Sequence, residues 1–302
     1  MVRHVTAGVD ESSESLAAAH WAAREALRRG AALRLVHAWT WQLTPAPSVP
    51  MGMTQRDWAE ETLKRAVGSV RAAHPGLPVE DRLVQDSAVT ALLDAAGDSG
   101  LLVLGSRGLG RVAGFVVGSV SQRVVARCPR PVVLVRAGET FADEHLPASV
   151  GVSPDEIPET PYRDVVLGLD TRYPCDELIE FAFESARRLG ASLRVVHTFT
   201  APAAHAVQGR TGPEAGPELL AEREHDVVAT LRPWCEKFPG VPVTETVSEG
   251  RAAPELVRAS AHASLVVVGR RTRDARIGTH IGAVTQAVLH HVGCPVAVVP
   301  HA

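Results

Sequence analysis

The chain holds only two lysines, Lys64 and Lys237, and neither follows a glycine run. A Walker-type phosphate loop, GxxxxGK[ST], is therefore excluded, and neither a GxGxxG dinucleotide fingerprint nor an SGGxDS loop is present. The four cysteines, Cys128, Cys175, Cys235 and Cys294, stand far apart with no CxxC pair. That spacing offers no zinc or dithiol motif and suits a reducing compartment. Aromatic residues make up 4% of the chain. Trp21, Trp39, Trp41, Trp58 and Trp234 form no array of the kind that stacks single-stranded nucleic acid. No window supplies the ~18 uninterrupted apolar residues of a membrane helix. The opening MVRHVTAGVDESSES reaches Asp10 and Glu11 too early for a secretory h-region, so a cytoplasmic location is expected. The net charge of −3 gives no strong field toward nucleic acid or membrane.

What is present is a glycine-rich stretch. Leu101–Leu104 run straight into Gly105-Ser-Arg-Gly108, and a nine-residue spacer leads to Gly118-Ser119. A short buried strand empties into a glycine loop, and a second glycine opens the next helix. Glycine lets backbone N–H groups approach a ligand without an intervening Cβ. With the helix start at Gly118 they would form a concave donor surface suited to phosphate oxygens. The same glycines also fit a plain turn followed by a closely packed helix.

Length and repetition organise the rest. Three hundred and two residues with 45% hydrophobic content suit two domains of ~150 residues each. Residues 8–39 return as 168–199: Gly8/Gly168, Asp10/Asp170, Gly30/Gly190 and His37/His197 all lie 160 apart. LLVLGSRG at 101–108 returns as LVVVGRRT at 265–272, and PVVLV at 131–135 as PVAVV at 295–299, both 164 apart. A period this long marks two similar domains and not a solenoid. Residues 140–162 carry four prolines, five acidic side chains and no Lys or Arg, which predicts an extended solvated linker. The expected domains are 1–139 and 163–302.

Each copy alternates strand and helix. In the first, strands are predicted near 3–9, 32–38, 79–85, 101–105 and 131–136, and helices near 13–29, 54–73, 88–98 and 118–127. The first helix has Leu16, Ala19, Ala23, Ala26 and Leu27 at helical spacing, Ser12 or Ser13 to cap it and Gly30 to end it. Apolar strands alternating with helices imply a parallel sheet covered on both faces, and right-handed crossovers favour a doubly wound α/β sandwich. His37 and His197 lie in apolar strands and read as packed core histidines.

GVDESSES at 8–15, LVHAW at 35–39, GSRGLGRVAGFVVGS at 105–119 and CPRPVVLV at 128–135 together resemble the universal stress proteins, here as a tandem pair. The glycine spacing G-x2-G-x9-G-[ST] resembles that family's ATP-binding signature. The resemblance implies Rossmann-like domains with five strands in the order 3-2-1-4-5, binding of ATP or AMP with Mg²⁺ held through the phosphates, and a homodimer or intramolecular pseudo-dimer, often through the last strand. It also implies a role in stress or dormancy signalling with an unknown protein partner and without settled catalysis. Residue by residue, Gly8 and Asp10 would flank the adenosine and Val36 the adenine. Gly105, Arg107 and Gly108 would wrap the ribose and phosphates, and Gly118, Ser119 and Val120 would meet the β- and γ-phosphates.

Asp10 could equally cap the following helix, Ser119 could be an ordinary helix cap, and Arg107 and Arg111 could be solvated loop charges. Met51 and Met53 fall in a Pro-rich loop that could edge the cleft. The second copy keeps Gly168, Asp170, Gly269 and Gly282 but has Thr272 for the second loop glycine and Ala283 for the final hydroxyl. Arg270, Arg271, Arg273 and Arg276 could restore anion affinity there or cover a solvated loop. Two other functions stay open: a slow ATPase or phosphoryl-transfer protein, for which no base is evident, and a structural dimer scaffold in which the glycines only pack.

Overall fold

The computed structural model describes residues 4–41, 49–106, 117–138, 140–145, 160–200, 215–272 and 281–302. Arg107, Gly108, Arg111, Arg273 and Arg276 lie outside them. Two compact units emerge. The first comprises Met1–Phe141 with Arg270–Ile281 and Pro295–Pro300; the second comprises Ala142–Gly269, Gly282–Cys294 and His301–Ala302.

The first unit runs β1 (His4–Gly8), α1 (Ser13–Arg29), β2 (Leu33–Trp39), α2 (Gln55–Ala73), β3 (Val79–Gln85), α3 (Ala88–Gly97), β4 (Ser99–Ser106), α4 (Ser119–Arg127) and β5 (Val132–Arg136). The strands stand in the order β3-β2-β1-β4-β5, all parallel. Val296–Val298 of the last strand, β10 (Val296–His301), pair antiparallel with β5. The central strands are buried, as a sheet covered on both faces requires.

Local chemistry sets the helix ends. Ser12 caps α1 by accepting from the Ser15 N–H, and Gly30 ends it in the left-handed conformation (φ 60°), which glycine adopts without strain. Thr54 and Asp57 form a reciprocal capping box at the start of α2. The expected apolar stripe of α1 needs correcting. Leu16 and Leu27 are 37% and 51% exposed, while Ala18, Ala19, Ala22, Ala23 and Ala26 are fully buried. Alanine lets the helix axis lie close to the sheet, so the small residues take the core face and the leucines turn outward.

Between α1 and α2, the His20 imidazole lies 3.1 Å from Ser69 Oγ and 3.4 Å from His74 Nε2. Burial, then the Arg24 charge, holds His20 below the ordinary histidine range; burial, His20 and Arg24 do the same to His74. The unfolded chain therefore binds more protons than the folded one once pH drops through about 6.5. This part of the stability is present above that pH and is lost as pH falls toward the depressed folded values. Denaturant titrations at neutral and mildly acidic pH should show it, and His20→Gln/His74→Gln should flatten the difference.

The second unit runs β6 (Asp164–Gly168), α5 (Asp176–Leu189), β7 (Leu193–Phe199), α6 (Ala215–Lys237), β8 (Val243–Glu249), α7 (Ala252–Ala259), β9 (Ala263–Arg271) and α8 (Ala283–His291). Its sheet repeats the pattern, β8-β7-β6-β9, again parallel. The stretch read as a solvated linker is held at both described ends. Phe141–Glu144 form a 3-10 turn, Glu144 and His145 are each 1% exposed, and His145 bridges to Tyr162 with ring centroids 4.0 Å apart. Arg163 donates from Nε to the His145 carbonyl (2.6 Å). No helix among the described residues is long and apolar enough to cross a membrane.

Candidate functional site

In a doubly wound sheet a ligand sits beyond the carboxyl ends of the strands where their order reverses. Here that point lies between β1 and β4, which pair directly through Ala7 and Val103. Gly8, Val9 and Asp10 therefore leave the sheet beside Gly105 and Ser106, and Val36 stands next to Gly8 across the β1–β2 ladder. Val36 is 1% exposed, and its carbonyl accepts the Val9 N–H at 2.9 Å.

The loop after β1 is tightly tied. The Asp10 carboxylate accepts from the Ser12 N–H (2.8 Å) and from the Ser12 hydroxyl. The Asp10 N–H donates to Ser15 Oγ (3.0 Å), and Ser15 Oγ donates back to the Asp10 carbonyl at 3.1 Å. The helix cap is Ser12 and not Asp10; Asp10 instead closes an Asx turn one step earlier. On the far side of this loop the Trp58 indole N–H donates to Glu11, and the Arg65 guanidinium lies 4.8 Å over the Trp58 ring. Nothing in the sequence pairs Trp58 with Glu11.

The two strand-end glycines answer to packing. A Cβ on Gly105 would lie 2.6 Å from the Glu14 carbonyl carbon and 2.7 Å from the Ser15 nitrogen, so the first turn of α1 rests against the backbone of β4. A Cβ on Gly8 would meet Leu92 and Leu104, each at 2.8 Å. Neither glycine has a positive φ. Close approach of helix to strand is thus one definite reason for the residue type at both positions.

Gly118 is the N-cap of α4 (φ −57°, ψ 147°) and brings no side-chain cap. Ser119, expected as a possible cap, is instead the first helical residue, and both it and Val120 are exposed. The first-turn N–H groups of a helix lack intrahelical partners and carry the positive end of its dipole. An uncapped start beside the strand ends is therefore suited to an anion. Ser121 fixes its position by donating from Oγ to the Gly105 carbonyl at 2.9 Å. Thr285 does the same to Gly269 at 2.8 Å in the second unit. The hydroxyl three residues after the glycine, in GSVS and GAVT, was the available signal for this tie.

The second unit reproduces the frame and alters its contents. Gly282 caps α8 with nearly the same angles (φ −59°, ψ 151°), followed by Ala283 without a hydroxyl. Asp170, the counterpart of Asp10, is gripped by its own neighbour: Arg172 donates to both carboxylate oxygens at 3.0 Å. Burial pushes the Asp170 carboxyl up, but the Arg172 hydrogen bonds and charge prevail and hold it below the usual range. A Cβ on Gly269 would meet the His301 imidazole at 2.7 Å, and one on Gly168 would meet Leu256 at 3.1 Å. Cys175 caps α5 in position only; burial and the Glu177 carboxylate push its thiol up to about 11, which keeps it protonated at neutral pH.

Among the arginines read as possible anion ligands, Arg270 is 5% exposed and donates to the Cys128 carbonyl at 2.6 Å, both within the first unit. It satisfies the C-terminal end of α4 and is not aimed at an anion. His37 and His197 hold through Nδ1 to the carbonyls of Val9 (2.7 Å) and Leu169 (3.0 Å), as packed histidines should. Met51 and Met53 are exposed.

Comparison with known proteins places this frame. Residues 1–136 and 161–300 each match the Universal stress protein family. Universal stress protein Rv2005c of Mycobacterium tuberculosis is 31% identical over 305 residues, covering 97% of this chain and 96% of its own. The crystal structure of a universal stress protein from Archaeoglobus fulgidus covers all of both chains with a TM-score of 0.66 at 16% identity. A universal stress protein solved in complex with cAMP is 29% identical, covers 45% of this chain and 98% of its own, and has a TM-score of 0.35.

Proposed function

The chain belongs to the universal stress protein family, and from that premise we propose that its first half binds an adenine nucleotide. In this reading it acts as a cytoplasmic, nucleotide-dependent stress or dormancy signalling module. The observation that carries the reading is the start of α4 at Gly118, which has no side-chain cap and is tied by Ser121 to the end of β4. In this reading Gly118, Ser119 and Val120 receive the β- and γ-phosphates. Gly8 and Asp10 border the adenosine, Val36 the adenine, and Gly105, Arg107 and Gly108 the ribose and phosphates. The ligand is ATP or AMP, with Mg²⁺ held through the phosphates. The domains are 1–139 and 163–302, joined by 140–162.

The second half, with Gly168, Asp170, Gly269 and Gly282, is the weaker site, because Arg172 already occupies the Asp170 carboxylate and Ala283 lacks the hydroxyl. Within the first unit, residues 296–298 cover the edge of β5. An open strand edge is otherwise a template for another chain.

Calorimetric titration with ATP, AMP and cAMP in the presence of Mg²⁺ tests the reading. One nucleotide per chain is expected. Gly118→Ala/Ser119→Ala should weaken it by about tenfold, the loss expected for a charge-assisted hydrogen bond. No binding by the natural chain, or an unchanged affinity in the variant, would remove the proposal; two nucleotides per chain would overturn the asymmetry. A second reading, the structural scaffold, draws on the packing that accounts for Gly8 and Gly105. It requires a melting temperature indifferent to ATP, whereas a ligand of the native state raises it.

A further inference from the structure

On the first unit, α2 lies over the edge strand β3 and leaves a cavity of about 640 Å³ open to solvent. Leu63, Val67, Leu83 and Trp39 form its apolar wall. β3 has a sheet neighbour on one side only, β2, so its outer backbone edge is available among the described residues beyond the Val79 carbonyl, which Arg71 holds. Arg56, Lys64 and Arg71 project from α2 along the same cavity. Fifteen helical residues separate the first and last of them, about 22 Å at 1.5 Å per residue. That is the length of six or seven extended residues, roughly the length of β3 itself.

The duplication supplies the comparison that makes this row of cations informative. β3 and β8 lie 164 residues apart, as do the last residues of α2 and α6. At that offset the buried Leu63 and Val67 become the buried Val227 and Leu231, so the two helices sit in the same register. Arg56, Lys64 and Arg71, however, become Leu220, Val228 and Cys235. The two carboxylates that line the same cavity, Glu60 and Asp81, persist as Glu224 and Glu245. In the second unit, where uncharged residues stand in place of the three cations, burial and then Glu224 push the Glu245 carboxyl above its usual range. The fold alone therefore requires none of the three cations. Within the first unit, Arg56 pairs with Glu60 (2.8 Å) and Arg71 donates to the Val79 carbonyl on β3 (3.1 Å). Lys64 makes no hydrogen bond or ion pair among the described residues.

We propose that this groove docks an extended acidic segment of a partner protein, which adds as a strand to the free edge of β3 while its carboxylates meet Arg56, Lys64 and Arg71. Main-chain pairing supplies affinity in such strand addition, and alternate side chains supply selectivity. On the groove side these would be the acidic residues, their carboxylates toward α2 and their methylene stems against Leu83 and Trp39, while the apolar residues fall on the opposite face of the sheet. The site is independent of the crevice at Gly118.

The full chain is titrated against a fluorescein-labelled nine-residue peptide alternating glutamate with valine, followed by anisotropy at low and high salt. Binding that weakens with salt is expected. The triple variant Arg56→Gln/Lys64→Gln/Arg71→Gln should lose about tenfold or more, while Arg56→Lys/Arg71→Lys keeps most of the affinity. A peptide N-methylated at alternate amides should not bind, nor should the lysine–valine counterpart. Circular dichroism of the triple variant should match that of the natural chain. Equal binding by the triple variant overturns the charge row, and equal binding by the N-methylated peptide overturns strand addition. Absence of binding by the natural chain at about millimolar peptide overturns the site.

Discussion

Replacing Gly105 by alanine is expected to destabilise the first unit by about 3 kcal/mol, at the upper end of overpacking costs, and to abolish nucleotide binding together with it. The added methyl would stand 2.6–2.8 Å from the carbonyl carbon, nitrogen and oxygen of the Glu14–Ser15 peptide. Those are backbone atoms inside a helix and cannot rotate aside as a leucine tip can. The helix must move as a body. Ser12 and Ser15, which hold the Asp10 turn, move with it. Thermal unfolding should therefore fall by several degrees, and the calorimetric nucleotide signal should disappear even below the new transition. Gly8→Ala is the useful contrast. Its methyl meets only the ends of Leu92 and Leu104, which can give way, so a smaller loss is expected there. Equal and small effects at both positions would show that α1 is not seated on β4 as described.

The second large effect is expected at Arg270. Truncation to alanine removes a buried guanidinium and leaves the Cys128 carbonyl at the end of α4 without its donor. A hydrogen bond from a charged donor contributes about 1.5–3 kcal/mol, and an orphaned buried acceptor costs a similar amount. Burial disfavours the charge itself and lowers the Arg270 pKa, so part of the loss is offset when the charge goes. A net loss of about 2 kcal/mol is the expected balance. Arg270→Met, which keeps the apolar stem, should recover the packing but not the hydrogen bond. Because the side chain is spent on α4, neither variant should change the nucleotide stoichiometry. Altered stoichiometry would return Arg270 to the role of anion ligand.

The architecture was legible because its signals are local and repeated. Ser12 before an alanine-rich stretch and Gly30 after it specify a helix whoever its neighbours are, and the 160- and 164-residue echoes show that one plan is used twice. Strand order was a different matter. It came from resemblance, because pairing β1 with β4 joins residues about a hundred apart and leaves no periodic trace. Side-chain fate was least legible. Leu16 and Leu27 satisfy helical spacing, yet the closer-fitting alanines won the core face. Arg270 looks like its neighbour Arg271 in the sequence, and only the position of Cys128 separates them. Ser121 and Thr285 could have been found by aligning the copies, since a hydroxyl recurs there while Ser119 gives way to Ala283.

The clasp between His145 and Tyr162 bears on how this chain tolerates change. Two residues that pair across a neck turn everything between them into a closed excursion, whose length no longer sets the geometry of what flanks it. Doubling such an excursion costs only about 0.6 kcal/mol of closure entropy. What a change between these two residues must preserve is therefore the pairing at the neck itself, with His145 kept buried against Tyr162.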